Sequence, residues 1–175
     1  ALAIEQEMKK RGFDADFKAT GQTGIFIAGS GVSIDAVVAD FISGAVEWLC
    51  PENSENHWDI VEGQGSLFNV SYAGVTLGLI HGSQPDALVV CHEAGRPHMR
   101  SMPHFPLIDL PTCIEVNLQA ARLTNPDVRC VGAAINTSRL SEEEGRVFCD
   151  KVSQEIGLPA VDPLRDGVAS LVDQI

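Results

Sequence analysis

Glu62 closes a short apolar run, Asp59-Ile60-Val61, and opens onto a glycine-bracketed turn, Gly63-Gln64-Gly65-Ser66. An acid delivered this way by a strand can act as a general base, hold Mg²⁺ through water, or orient a substrate amine. The flanking glycines let backbone N–H groups approach an anion, so Gly63 and Gly65 are read as cofactor-binding positions. A second glycine pair, in Gly21-Gln22-Thr23-Gly24, follows a predicted strand. There a backbone nest can wrap a phosphate or carboxylate, with Gln22 and Thr23 adding polar contacts. The same tetrad also serves as an ordinary turn that uses glycine for positive φ.

Further along, the stretch from His81 to His104 holds four of the five histidines together with Arg96 and Arg100, in a chain of net charge -12. His92-Glu93-Ala94-Gly95-Arg96 lies just beyond an apolar run. Arg96 can therefore grip a substrate carboxylate bidentately, and His92 can move a proton. His92, His98 and His104 recur every six residues, a spacing that matches no standard zinc motif, so no metal site is expected. Asp40 shares a predicted helix face with Ser43, Gly44 and Glu47, where small residues leave room for a ligand or a neighbouring helix. Being nearer the helix start, Asp40 is the acid read as substrate-binding. Asn136 ends a predicted strand, from which its amide can read a nucleotide base, although asparagine is also a common turn residue. Two nucleophiles drop out: Ser66 lacks the following glycine that G-x-S-x-G requires, and Cys91 and His92, adjacent on a strand, face opposite ways.

These residues need a scaffold. A chain of 175 residues, 45% apolar and 21% charged, suits a single α/β domain over residues 1–175 with a substantial core. The acidic balance argues against broad nucleic-acid binding or adhesion to an anionic membrane, leaving small molecules as partners. No apolar run approaches the ~20 residues of a membrane span and no leader opens the chain, so a cytoplasmic protein is expected. Five scattered cysteines without a C-x-x-C pair read as reduced core thiols.

The apolar periodicity predicts helices over residues 1–11, 33–50, 72–81, 112–123, 141–156 and 167–175. Strands are expected at 13–19, 58–61, 87–91, 128–135 and 160–161, with an irregular stretch over 93–111. Thr112 with Glu115, and Ser141 with Glu144, carry the capping-box pattern. The first helix has no capping residue before it, which suggests a chain continuing upstream of Ala1. Continuous apolar strands alternating with helices specify a three-layer α/β/α fold with a mostly parallel sheet. In such a sheet ligands sit beyond the strands' carboxyl ends. Glu62, the Gly21–Gly24 turn and Arg96 are accordingly expected to share one pocket.

Read in order, GQTG, DAVVADFISGAVE (35–47), VEGQGSL (61–67), GVTLGLIHGSQPDALVVCHEAGR (74–96) and AAINTS (133–138) resemble one family across essentially the whole chain. It was long catalogued as a domain of unknown function, and some of its members are D-glutamate N-acetyltransferases of the DgcN type. The resemblance implies a P-loop NTPase-like fold similar to dethiobiotin synthetase, preceded by a small N-terminal domain and a glycine-rich phosphate loop lying just before Ala1. It implies acetyl transfer from acetyl-CoA to an acidic amino acid such as D-glutamate, and a homo-oligomer. Glu62 would then deprotonate or orient the substrate ammonium, Arg96 and Arg100 would hold its carboxylates, and the Gly21–Gly24 turn would line the phosphate or pantetheine side. An ATP- and Mg²⁺-dependent ligase or kinase of the dethiobiotin-synthetase type is the alternative, with a non-enzymatic nucleotide or ligand sensor the third reading.

Overall fold

Strands and helices alternate along the chain as the apolar patterning predicts. A computed structural model describes residues 1–175 throughout, and they divide into two units, Ala1–Pro85 with Ala120–Pro126, and Asp86–Gln119 with Asp127–Ile175.

The first unit contains α1 (Leu2–Lys10), β1 (Asp14–Lys18), α2 (Gln22–Ala28), α3 (Ile42–Leu49), β2 (His57–Val61) and α4 (Ala73–Ser83). Helix α1 buries Ile4 and Met8 one turn apart, and the ion pair between Glu5 and Lys9 supports it at 2.8 Å. Strands β1 and β2 pair in parallel from Asp14 opposite His57 to Lys18 opposite Val61. At their start His57 lies 3.1 Å from both Asp14 and Asp59, and from the far end of β1 Lys18 comes within 3.1 Å of Asp59. Hydrogen bonding to Asp14 first, and then to Asp59, outweighs desolvation and raises the pKa of His57.

The continuous helix expected over 33–50 is instead two 3₁₀ turns, Ile34–Ala36 and Ala39–Phe41, followed by α3. Between the turns Val37 and Val38 are extended, with ψ of 134° and 135°. Ile34, Ile42, Val46 and Leu79 pack into one core with Val37 beside them, so the helix-like spacing reflects a shared core and not one continuous helix. Of the small residues on that stretch, Ser43 meets a neighbouring helix: its hydroxyl donates to Gly78 O of α4 at 3.2 Å.

The second unit contains β3 (Ala87–Glu93), β4 (His98–Met99), β5 (Met102–Pro106), α5 (Leu110–Ala121, whose last two residues fall in the first unit), β6 (Arg129–Asn136), α6 (Glu142–Ile156), β7 (Ala160–Val161) and α7 (Ala169–Val172). Strands β3, β6 and β7 form a parallel sheet in that order. Central β6 sinks Val131, Ala133 and Ile135 completely, and the last two join Ala94, Leu110, Cys149 and Val152 in a core. The α6 capping box forms as expected: the Glu144 amide donates to Ser141 Oγ at 3.2 Å and the Ser141 amide to Glu144 Oε2 at 2.9 Å.

Three expectations are corrected here. The stretch 93–111 is not irregular throughout: β4 and β5 form an antiparallel hairpin, turning at Arg100 and Ser101 (φ 63°), and Pro103 and Pro106 sit in its β5 arm. Helix α5 is capped by Asp109, not Thr112; Asp109 accepts the Thr112 amide at 2.8 Å and its hydroxyl at 2.9 Å, while Glu115 accepts from Gln119. The final helix is confined to Ala169–Val172. All five cysteines are free thiols, but only Cys149 is buried. Burial pushes the Cys50 thiol up to about 11, the reverse of an activated nucleophile.

Gly132 shows how tightly the second sheet is built. It sits at φ 140°, beside the register shift that places Leu88 and Val89 opposite Cys130 and Gly132. A Cβ there would collide with Pro159 O and Leu171 Cδ2. Gly132→Ala is therefore expected to lower unfolding stability by about 1–3 kcal/mol from the backbone conformation alone, with the collision adding to it. Urea unfolding midpoints measure this, and an unchanged midpoint would contradict the account.

Candidate functional site

In the first unit the tips of β1 and β2 meet through Glu62. Its Oε2 accepts the backbone amides of Thr20 and Gly21, both at 3.0 Å. Its backbone carbonyl accepts the Thr20 hydroxyl at 2.7 Å, and Gln64 Nε2 donates to that hydroxyl at 3.4 Å. Thr20 is fully buried. The other carboxylate oxygen, Oε1, has no hydrogen-bond partner within the chain.

This geometry also gives Gly21-Gln22-Thr23-Gly24 a place within the fold. The tetrad is the start of α2, with Gly21 as its N-cap, and the anion seated on the amides of Thr20 and Gly21 is the protein's own Glu62. A Cβ on Gly21 would run into the Gln64 amide, and one on Gly24 into Glu62 Oε2. The two glycines are thus required by the close approach of Glu62 and Gln64, while Gln22 and Thr23 remain exposed. Gly63 is exposed with open space where a Cβ would point, and its amide donates to no acceptor within the chain. Gly65, at φ 65°, turns the chain against Tyr72 at the start of α4, and Thr76 fixes that turn by donating to Gln64 O at 2.7 Å. Asp40, in the second 3₁₀ turn, is exposed and forms no hydrogen bond or ion pair, so it is not drawn into the Glu62 network.

In the second unit, described by itself, the tips of β3, β6 and β7 carry several polar side chains. His92 stacks on Phe148 with ring centroids 6.0 Å apart and planes 5° from parallel. Burial lowers its pKa, and the charge of Arg96 lowers it further against a weaker opposing effect of Glu93, so the imidazole is neutral near pH 7. Arg96 is ion-paired with Glu93 three residues earlier, and Arg139 Nε lies 3.1 Å from the other oxygen of Glu93. Arg100 is exposed at the hairpin turn and forms no hydrogen bond or ion pair. Asn136, expected to read a base, uses Oδ1 to accept the Ser138 amide at 3.0 Å in a local turn. Thr137 is buried, and Asp162 Oδ2 accepts its amide at 3.1 Å and its hydroxyl at 2.5 Å. No three His, Cys, Asp or Glu side chains gather into a group able to hold a metal ion.

Sequence reasoning missed Thr20, Gln64, Glu93, Arg139 and Asp162. Two left a readable signal. Glu93 stands three residues before Arg96, the spacing of an ion pair across a tight turn, and Arg139 immediately follows Ser138, the last residue of AINTS. Thr20 and Asp162 carry no such mark, because a buried polar group is recognisable only once its partner's position is known.

A family model described as "Domain of unknown function (DUF1611_C) P-loop domain" matches residues 1–172, and the chain belongs to that family. It is similar to two curated proteins named D-glutamate N-acetyltransferase. One, from Pseudoalteromonas sp, is 58% identical over 172 residues, covering 98% of this chain and 52% of that protein. The other, from Tritonibacter scottomollicae, is 51% identical over 175 residues, covering 100% of this chain and 53% of that protein. The crystal structure of a DUF1611 family protein from Anabaena variabilis ATCC 29413 matches at a TM-score of 0.92 and 38% identity, over 99% of this chain and 51% of that one. The chain spans about half the length of the curated relatives it matches. The α/β class with mostly parallel strands, and the P-loop-type family, stand as the sequence predicted.

Two tests follow from the geometry. Glu62→Ala leaves the Thr20 and Gly21 amides without their acceptor and is expected to cost about 1–3 kcal/mol of unfolding stability, whereas Glu62→Gln keeps an acceptor oxygen and most of that stability. Equal losses in the two variants would show that the carboxylate does not tie the strand tips. For His92 the folded pKa lies below the ordinary 6.5, so stability is present above the unfolded value and falls as pH drops through it, because the unfolded chain takes up the proton more readily. Between about pH 7.5 and about pH 5.5, wild type should lose stability relative to His92→Gln in urea unfolding, and parallel pH curves would refute it.

Proposed function

We propose that this chain carries the acyl-transfer site of an N-acetyltransferase that moves acetyl from acetyl-CoA to the amino group of an acidic amino acid, D-glutamate first. The reading is carried by the agreement of essentially the whole chain, at 58% and 51% identity, with two proteins of that name. Because the chain spans about half of each, the activity is that of the full-length protein.

The chemistry fits a strand-tip carboxylate with one oxygen anchored and one open. An amino acid at neutral pH presents an ammonium, which has to lose a proton before its nitrogen can attack the thioester carbonyl. Glu62 Oε1 accepts that proton while Oε2 stays on the Thr20 and Gly21 amides, so the base does not swing away. Attack then places negative charge on the carbonyl oxygen, and the uncommitted Gly63 amide is the donor assigned to it. Collapse breaks the carbon–sulfur bond, the new amide nitrogen gives up its second proton, and the CoA sulfur takes up a proton and leaves as the thiol. Within the second unit by itself, His92, neutral at working pH, can carry a proton and Arg96 can hold a carboxylate. No step runs through a metal or ATP.

The test is thiol release from acetyl-CoA by full-length protein given D-glutamate, with L-glutamate and D-aspartate beside it. Glu62→Gln is expected to lower kcat by about 10²–10⁴-fold, the usual contribution of a positioned base, with little change in KM. No thiol release with any acidic amino acid would remove the proposal.

A further inference from the structure

The arrangement at Glu93 asks for a purpose. One carboxylate, only 16% exposed, holds two guanidinium groups, Arg96 through Oε2 and Arg139 through Oε1. Both of its oxygens are engaged, leaving one positive charge over. Each guanidinium carries five N–H donors in a flat fork and commits only part of them to Glu93. Neither has another partner in the chain.

The two arginines also stand on backbone fixed independently of them. Arg96 follows Gly95 at φ 75° and the buried Ala94, whose amide donates to Asn136 O at 3.0 Å. Arg139 lies in a loop held by the Asn136–Ser138 turn, by Thr137 on Asp162, and by Arg165, which donates to Leu140 O at 2.9 Å and to Ser141 O at 3.0 Å. Long side chains on anchored backbone, drawn together by a shared counter-ion, lose less freedom on gripping a ligand than solvated arginines would.

We infer that Arg139, paired with Arg96 across Glu93, is the specificity-determining arginine for a carboxylate of the dicarboxylic substrate. This rests on the acetyltransferase reading above and adds to it the residue that separates dicarboxylates from monocarboxylates. A planar, two-pronged fork suits a carboxylate, and Glu93 aligns the arginines while keeping their combined charge at one, matched to a single carboxylate.

The experiment compares full-length wild type with Arg139→Met, Arg139→Lys and a control, Arg146→Met. Arg146 is an exposed α6 arginine, ion-paired only to Glu142. Two readouts are taken: KM for D-glutamate and for acetyl-CoA, and calorimetric binding of glutarate and of inorganic phosphate. Arg139 is 72% exposed, so its variants should keep the wild-type unfolding midpoint. In Arg139→Met we expect KM for D-glutamate to rise about 10- to 100-fold and glutarate binding to weaken similarly, with KM for acetyl-CoA unchanged. Arg139→Lys recovers part of this, since a lysine keeps the charge but not the fork, and Arg146→Met behaves as wild type. An unchanged KM for D-glutamate overturns the inference. So does a rise confined to acetyl-CoA, or phosphate bound in preference to glutarate, because the anion would then be the donor's. If wild type does not acetylate D-glutamate, the acetyltransferase reading fails separately and glutarate binding alone decides: lost in Arg139→Met supports the inference, and equal in both proteins overturns it.

Discussion

The bond on which the first unit turns is the acceptance of the Thr20 and Gly21 amides by Glu62 Oε2. Two backbone donors at the tip of one parallel strand would otherwise be left to solvent or to a ligand, and the acid at the tip of its neighbour takes them. A charge-assisted pair of this kind outweighs an ordinary hydrogen bond, and it dictates the sequence around it. Position 24 has no space for a Cβ because Glu62 occupies it, and position 21 none because Gln64 does. Thr20 is buried because its hydroxyl closes the same network.

The second unit repeats the device with a different outcome. Asp162 follows β7 as Glu62 follows β2, and it too reaches the amide at a neighbouring strand's tip, that of Thr137. Its second oxygen is occupied as well, since Oδ1 accepts the Leu164 amide at 2.9 Å. Burial alone would raise the Asp162 pKa, but hydrogen bonds from Thr137, Leu164 and Arg165 hold it lowered. A carboxylate with both oxygens engaged is a brace. One with an open oxygen can also do chemistry, and that difference supports the proposal of Glu62, and not Asp162, as the reactive acid.

Much of this architecture is legible in the sequence. Parallel strands showed as uninterrupted apolar runs, because both of their faces are covered, and the Ser141–Glu144 cap was readable since both partners lie within one turn. The 33–50 stretch misled for the converse reason: Ile34, Val37, Ile42 and Val46 face one core through bends that helical spacing imitates. At the site, the glycines mark close approaches in the chain but not what approaches them, which is Glu62 at Gly24 and Gln64 at Gly21. A turn that admits an anion looks identical in sequence whether the anion is a phosphate or a side chain 42 residues away. Distant pairings such as Thr137 with Asp162 leave no periodic trace, so strand-tip logic found the positions but not the partners.

Net charge bears on each unit through its local surroundings. A chain at -12 would repel any anionic ligand if its charge acted as a whole. It does not, since solvent-exposed charges more than about 8–10 Å away are largely screened at physiological salt. What a ligand meets is the local balance. Near Glu93 two guanidiniums face one carboxylate, and near Glu62 the carboxylate is partly compensated by backbone donors that carry no titratable proton. An acidic protein can therefore take an anionic ligand if its cations are clustered and its acids are braced, and the sequence places Arg96 and Arg139 close to strand tips while Glu93 keeps the pair from repelling each other.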